Sequence, residues 1–262
     1  MELTALRALA IASAGGAAGF LNAIVGSGTL ISYPTIVAVG FDKLAANIGN
    51  NIGLFPGSLS ASHGYRRELV GQRRRLVRLI PMSALGGLTG SLLLLKLPSS
   101  YFARIVPFLV LTGVVLVLAQ TRLQAMVKQR QASRRNDAIT ITHHEHISPW
   151  LQLGVFATGI YGGYFGAAQG IILMGILGIA LTDDLQRLNA TKNVLATAVN
   201  GTAALVFVIR GDVPWGVAGL VALGSVLGAQ LGALVGRRIP PILLRIIIVV
   251  VGTGVALKLL LS

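Results

Sequence analysis

The chain has 262 residues, of which 54% are hydrophobic and 11% charged, with a formal net charge of +14 and no cysteine. Its mean hydropathy is +0.77, and its charged share falls well short of the roughly one quarter usual in a soluble domain. An ordinary soluble domain is thereby excluded, and the missing cysteines exclude disulfides, thiolate metal sites and thiol catalysis.

Apolar runs of about twenty residues recur from end to end, the length needed to cross ~30 Å of hydrocarbon. They are continuous rather than alternating, which rejects a transmembrane β-barrel. The expected fold is therefore an all-α integral membrane protein. The opening "MELTALRALAIASAGGAAGF" has the look of a secretory signal. It is expected to stay attached, because residues 19–30 have a counterpart in the second half. In chain order the apolar segments of the first half are 4–25, 28–40, 44–62, 76–97 and 101–121. Those of the second are 150–166, 168–181, 188–209, 214–236 and 240–261. Segments 28–40 and 168–181 are too short to cross alone, since such a helix spans only ~20 Å. They read as broken or re-entrant helices, tolerated where protein or a wet cavity covers the backbone.

The halves repeat. "GFLNAIVGSGTLI" from Gly19 lies over "GIYGGYFGAAQGI" from Gly159 at an offset of 140, matching Gly26 with Gly166. At an offset of 142, "DKLAANIGNNIG" lies over "DLQRLNATKNVL", so Asp42 meets Asp184, Asn47 meets Asn189 and Asn51 meets Asn193. Gly86, Gly90 and Pro98 meet Gly228, Gly232 and Pro240 at the same offset. The expected organisation is a first membrane repeat at 1–121, a basic cytoplasmic linker at 122–149 and a second membrane repeat at 150–262. Five segments per half make the second repeat inverted relative to the first. Arg66, Arg67, Arg73, Arg74, Arg75 and Arg78 share the cytoplasmic side with Arg122, Lys128, Arg130, Arg134 and Arg135, as the positive-inside rule requires. The basic charge is thus explained by topology and lipid headgroups, and no nucleic-acid partner is expected.

Polar residues inside the segments point to function. Asn47 and Asn51 are four apart, as are Asn189 and Asn193, so each pair shares a helical face. They are either interhelical hydrogen-bonding groups or amide donors at a substrate site between repeats. Lys192 is sharper, because a lysine deep in a bilayer costs ~2.5–3.5 kcal/mol on insertion scales and marks function by default. Its alternatives are snorkelling to the headgroups and pairing with Asp183 or Asp184. Its first-half counterpart is Asn50. The breaks "GSGTL" from Gly26 and "GAAQG" from Gly166 offer unwound backbone followed by a helix start, where free N–H groups attract anions. The residues expected to bind substrate are Lys192, Asn47, Asn50, Asn51, Asn189, Asn193 and Gln169 with Gly26, Ser27, Gly28, Thr29, Gly166 and Gly170. Tight small-residue packing is the competing reading of the glycines.

The stretch "THHEHISP", with His143, His144, Glu145 and His146, finds no second cluster to complete a metal shell, and no metal or other cofactor is expected. All eight acidic residues fall at segment ends or in loops, so no buried proton relay is visible. An enzyme is not expected, because the apolar segments hold neither a nucleophile–base pair nor a metal shell.

The doubled pattern of glycine-rich broken helix, short apolar piece and a helix opening with small polar residues resembles the sulfite exporter TauE/SafE family over nearly the whole chain. The resemblance implies a multi-pass protein of the inner membrane that exports sulfite, sulfoacetate or a related organosulfonate. An anion channel, or an importer of another small organic anion, is the alternative. This chain departs from the family where Gly26-Ser27-Gly28 and Ala167-Ala168-Gln169-Gly170 replace a denser glycine run, and where Asn50-Asn51 and Lys192-Asn193 stand in place of small hydroxyl residues. The expected partners are a small anion and membrane lipid, with a homo-oligomer also compatible.

Overall fold

A computed structural model describes residues 3–137, 147–235, 249, 250 and 253. Among these, all regular structure is helical: α1 (Ala5–Ile24), α2 (Thr29–Ala38), α3 (Lys43–Gly64), α4 (Arg73–Lys96), α5 (Ser99–Asp137), α6 (Pro149–Tyr164), α7 (Gln169–Ala180), α8 (Leu185–Arg210) and α9 (Trp215–Val235). The predicted segment 240–261, with Pro240, and the histidine stretch 143–146 lie outside the described residues.

Among the described residues, five helices are long and apolar enough to cross a membrane: α1, α4, Ser99–Gln120 of α5, α8 and α9. At 1.5 Å per residue, the 10 residues of α2 and the 12 of α7 span only about 15 and 18 Å. Both are the short pieces expected from the sequence. α5 differs from its predicted segment. Its 39 residues would extend about 58 Å, so the helix runs on into the basic stretch as far as Asp137.

Local chemistry explains the boundaries. Asp42 caps α3 by accepting from the Leu44 and Ala45 amides at 2.9 and 3.2 Å. Its counterpart Asp184 caps α8 through Gln186 N–H at 2.8 Å. Ser148 caps α6, with Pro149 in the first turn, where its missing N–H costs nothing. Gly26 and Gly166 have φ of +88° and +79°, a backbone region open to glycine, and each lies in the break between a longer helix and a short one.

Glycines set the closest packing. α1 packs on α9 through Gly15, Gly16, Gly19, Gly224 and Gly228, and α4 packs on α6 through Gly86, Gly87, Gly90, Gly159 and Gly163. Without a hydrophobic drive between helices in lipid, such close backbone approach supplies the association energy. Ser225 Oγ on α9 donates to the Gly53 carbonyl of α3 at 2.8 Å, and its counterpart Ser83 on α4 donates to the Leu195 carbonyl of α8 at 2.9 Å. Ser62 pairs with Thr197 and Asn200 with Ser58, while Arg187 reaches the carbonyls of Glu68 and Val70. The partners fall in α8 as they rise from α3 into the loop beyond it, so α3 and α8 run antiparallel through the centre of the protein.

One end of that pair is locked. Arg75 is 2% exposed and donates to Gln72 Oε1 at 2.6 Å and to Asp183 Oδ2 at 2.9 Å. Arg187 grips the other oxygen of Asp183 at 2.8 Å. Thr191 Oγ1 also donates to Gln72 Oε1, and Gln72 Nε2 donates to the carbonyls of Glu68 and Arg187. The network ties the loop after α3 to the start of α8. Asp183→Asn removes the charge that two arginines share, and should cost about 2 kcal/mol. A lowered Tm of the purified protein would register it, whereas Asp212→Asn, outside the network, should leave Tm unchanged.

Candidate functional site

The breaks after α1 and α6 bring the starts of α2 and α7 together. Gly170 N–H donates to the Gly26 carbonyl at 3.1 Å, and a Cβ on either glycine would overlap the other's backbone. Beside this junction lies a cavity with about 30 Å³ of free space, more than the ~10–15 Å³ that one water requires. α3 contributes Asn51, Leu54, Ser58 and Ala61 to its wall, and α8 contributes Lys192, Asn193, Ala196 and Asn200. The spacings keep each set on one helical face. From Asn51 to Ala61 the wall runs for ten residues, about 15 Å of helix. The breaks supply Gly26, Thr29, Gly166, Gln169 and Gly170, with Asn22 and Phe165 beside them.

Lys192 is 0% exposed. Its Nζ donates to the Asn22 carbonyl at 2.9 Å, near the C-terminal end of α1, where helix carbonyls carry partial negative charge. The side chain neither snorkels nor meets a carboxylate among the described residues, since Asp183 is held by Arg75 and Arg187 and Asp184 caps α8. Burial of an ammonium without an opposite charge is costly. Gln169 Nε2, also buried, has no hydrogen-bond partner and is a second donor on the cavity wall.

The asparagines divide into two groups. Asn47 Nδ2 donates to the Tyr164 carbonyl at 3.0 Å, and Asn189 Nδ2 to the Ala23 carbonyl at 3.0 Å. These counterparts tie α3 to the end of α6 and α8 to the end of α1, the interhelical role weighed from sequence, and neither is on the cavity wall. Asn193 is on the wall, but its Nδ2 also points to the Ala23 carbonyl, at 3.3 Å. Because carbonyls accept only, it is the N–H groups that are engaged, and Oδ1 of Asn47 and of Asn189 is buried without a partner. Asn50 is not on the wall itself, but its Nδ2 meets Oγ1 of the wall residue Thr29 at 3.4 Å. Asn51 lines the cavity with Oδ1 unpartnered. Ser27 and Gly28 are not on the wall. Gly28 N–H is taken by Asn22 Oδ1 at 2.7 Å, so the Gly28 and Gly170 amides, expected as anion donors, are engaged within the protein.

Sequence reasoning did not single out Asn22, Ser58 or Asn200 as site residues. Asn22 has no polar counterpart, because the offset places Gly162 there. Ser58 and Asn200 are counterparts of each other at the offset of 142. Their 2.8 Å hydrogen bond joins the α3 and α8 walls of the cavity, and that offset was the signal available for finding them.

Long apolar helices and two short broken ones, with a buried ammonium beside a polar cavity, define a multi-pass membrane protein. The chain belongs to the sulfite exporter TauE/SafE family, whose model matches residues 11–259. It is similar to "Probable membrane transporter protein YfcA" of Escherichia coli (strain K12), 27% identical over 251 residues covering 93% of this chain and 86% of the relative. "Probable membrane transporter protein ORF9" of Sinorhizobium sp is 29% identical over 248 residues, covering 93% and 88%. A "Probable membrane transporter protein" of Haemophilus influenzae is 27% identical over 216 residues, covering 82% and 80%. No solved structure is a significant match. Family and relatives make this a membrane transporter of the TauE/SafE type, seated in the inner membrane.

Proposed function

We propose that this protein exports a small anion, sulfite or an organosulfonate, from the cytoplasm through the cavity between α3 and α8. The observation that carries the reading is Lys192, wholly buried on the cavity wall with the Asn22 carbonyl as its protein partner. An anion entering the cavity supplies the missing opposite charge, and Gln169 Nε2 a further hydrogen bond. Asn51, Asn193, Asn200 and Ser58 set the polar width of the passage.

Two inverted repeats, 1–121 and 150–262, fit this reading. It is supported by the antiparallel course of the counterparts α3 and α8, and by the reciprocal bonds of Ser83 and Ser225. Alternating access by rocking one repeat against the other is the expected movement for such a design. The exposed Arg66, Arg67, Arg73, Arg74 and Arg78 draw anions to the cytoplasmic mouth, while Arg75 serves the lock. An anion leaving a negative-inside cell gains ~2.3 kcal/mol per charge per 100 mV, so efflux needs no proton relay.

The test is flux from liposomes holding purified protein, loaded with sulfite, sulfoacetate, sulfate or chloride at imposed potentials. Saturable efflux of sulfite or sulfoacetate, faster than that of sulfate and chloride, is expected. Release of every anion at the rate of protein-free vesicles would overturn the reading, and unitary currents would replace the carrier by a channel.

A further inference from the structure

The two halves treat equivalent helix ends differently. At the C-terminal end of α1, where the negative end of the helix dipole lies, the Lys192 ammonium rests on the Asn22 carbonyl. At the C-terminal end of α6 the helix alongside is α3, which carries Asn50 in the sequence position of Lys192. Asn47 marks this end directly, since its Nδ2 donates to Tyr164, the last residue of α6. Asn50 lies one turn further along the same face of α3, and its Nδ2 meets Thr29, two residues from Ser27. With both amide nitrogens engaged, Asn47 Oδ1 and Asn50 Oδ1 are left, and with Ser27 Oγ they are fully buried atoms lacking any hydrogen-bond partner. The residues are 2%, 2% and 0% exposed.

Two carbonyl-type oxygens, one of them at the C-terminal end of α6, repel an anion, and with the Ser27 hydroxyl they suit a cation. No carboxylate joins them, and the described residues hold no group of three metal-binding side chains. A divalent ion, which draws on carboxylates, is therefore disfavoured. Oxygen ligands at half-helix C-termini are the usual setting for monovalent ions in transporters with broken helices. We propose that Asn47 Oδ1, Asn50 Oδ1 and Ser27 Oγ form a monovalent cation site, for Na⁺ first, at the end of α6. The bound ion does there what the tethered ammonium of Lys192 does at the end of α1. A second ion would then enter the transport cycle. The site itself stands apart from the identity of the anion.

The test uses the full chain in lipid nanodiscs with no sulfur anion present, comparing NaCl with choline chloride at equal ionic strength. Saturable ²²Na⁺ binding and a Tm several degrees higher in NaCl are expected for the unaltered protein. Asn50→Lys places a second ammonium at the site and should remove the Na⁺ dependence. Ser27→Ala, the gentler change, should weaken Na⁺ binding about tenfold and leave Tm in choline chloride as it was. Equal Tm in the two salts with no bound ²²Na⁺ would overturn the proposal. So would wild-type affinity for Na⁺ in Ser27→Ala. Failure of the anion-flux experiment would leave this result untouched, because chloride is common to both arms.

Discussion

Lys192→Met is expected to reduce anion flux in liposomes at least a hundredfold while the protein folds as before. The ammonium is the charged donor on the cavity wall, and a charge-assisted hydrogen bond to a desolvated anion has no apolar substitute. Stability should move the other way. A buried ammonium with no opposite charge is costly, so an apolar side chain of similar length in its place should be neutral or stabilising. A Tm equal to or above that of the parent, together with lost flux, is the combined signature. Wild-type flux in Lys192→Met would show that the cavity carries no anion.

The second large effect concerns the junction of the breaks. Gly26→Ala places a side chain at φ +88°, which L-residues rarely adopt, and drives its Cβ into the backbone of Gly170. The left-handed conformation costs ~1–2 kcal/mol, and overpacking adds ~1–3 kcal/mol. A total loss of about 3 kcal/mol is expected, seen as a lowered Tm and a poor yield of folded protein. Gly170→Ala should behave alike, since its Cβ meets Gly26. Gly219 supplies the contrast. It lies inside α9 with nothing within 4 Å of the point its Cβ would occupy, so Gly219→Ala should be neutral or stabilising by ~0.5–1 kcal/mol.

The helices were legible because hydropathy and caps agree. The predicted pieces 28–40 and 168–181 became Thr29–Ala38 and Gln169–Ala180, and the segment 44–62 became Lys43–Gly64. Asp42 and Asp184, matched at one offset in the sequence, cap equivalent helices. α5 was less legible, because its helix continues past Gln120, where apolar content ends but backbone hydrogen bonding does not. Within the site, Lys192 is buried and lies on one cavity wall with residues of both breaks. What composition could not convey was which end of each asparagine is free. Asn47, Asn189 and Asn193 spend their N–H groups on helix-end carbonyls, so side chains expected as donors present acceptors. Arg75 hid for a similar reason. It stands in a run of arginines whose exposed members it matches in sequence, and its partner Asp183 is 108 residues away.

The central claim is a solvent-filled passage between α3 and α8 that the anion occupies, and the cysteine-free chain allows a direct measurement. Ala196, on the cavity wall one turn from Lys192, can be replaced by the chain's single cysteine. A small membrane-impermeant thiol reagent is then applied to each side of sealed vesicles in turn. Labelling from both sides, slowed severalfold by sulfite, is the predicted result. An Ala196→Cys thiol that stays unmodified from either side, with or without sulfite, would contradict it.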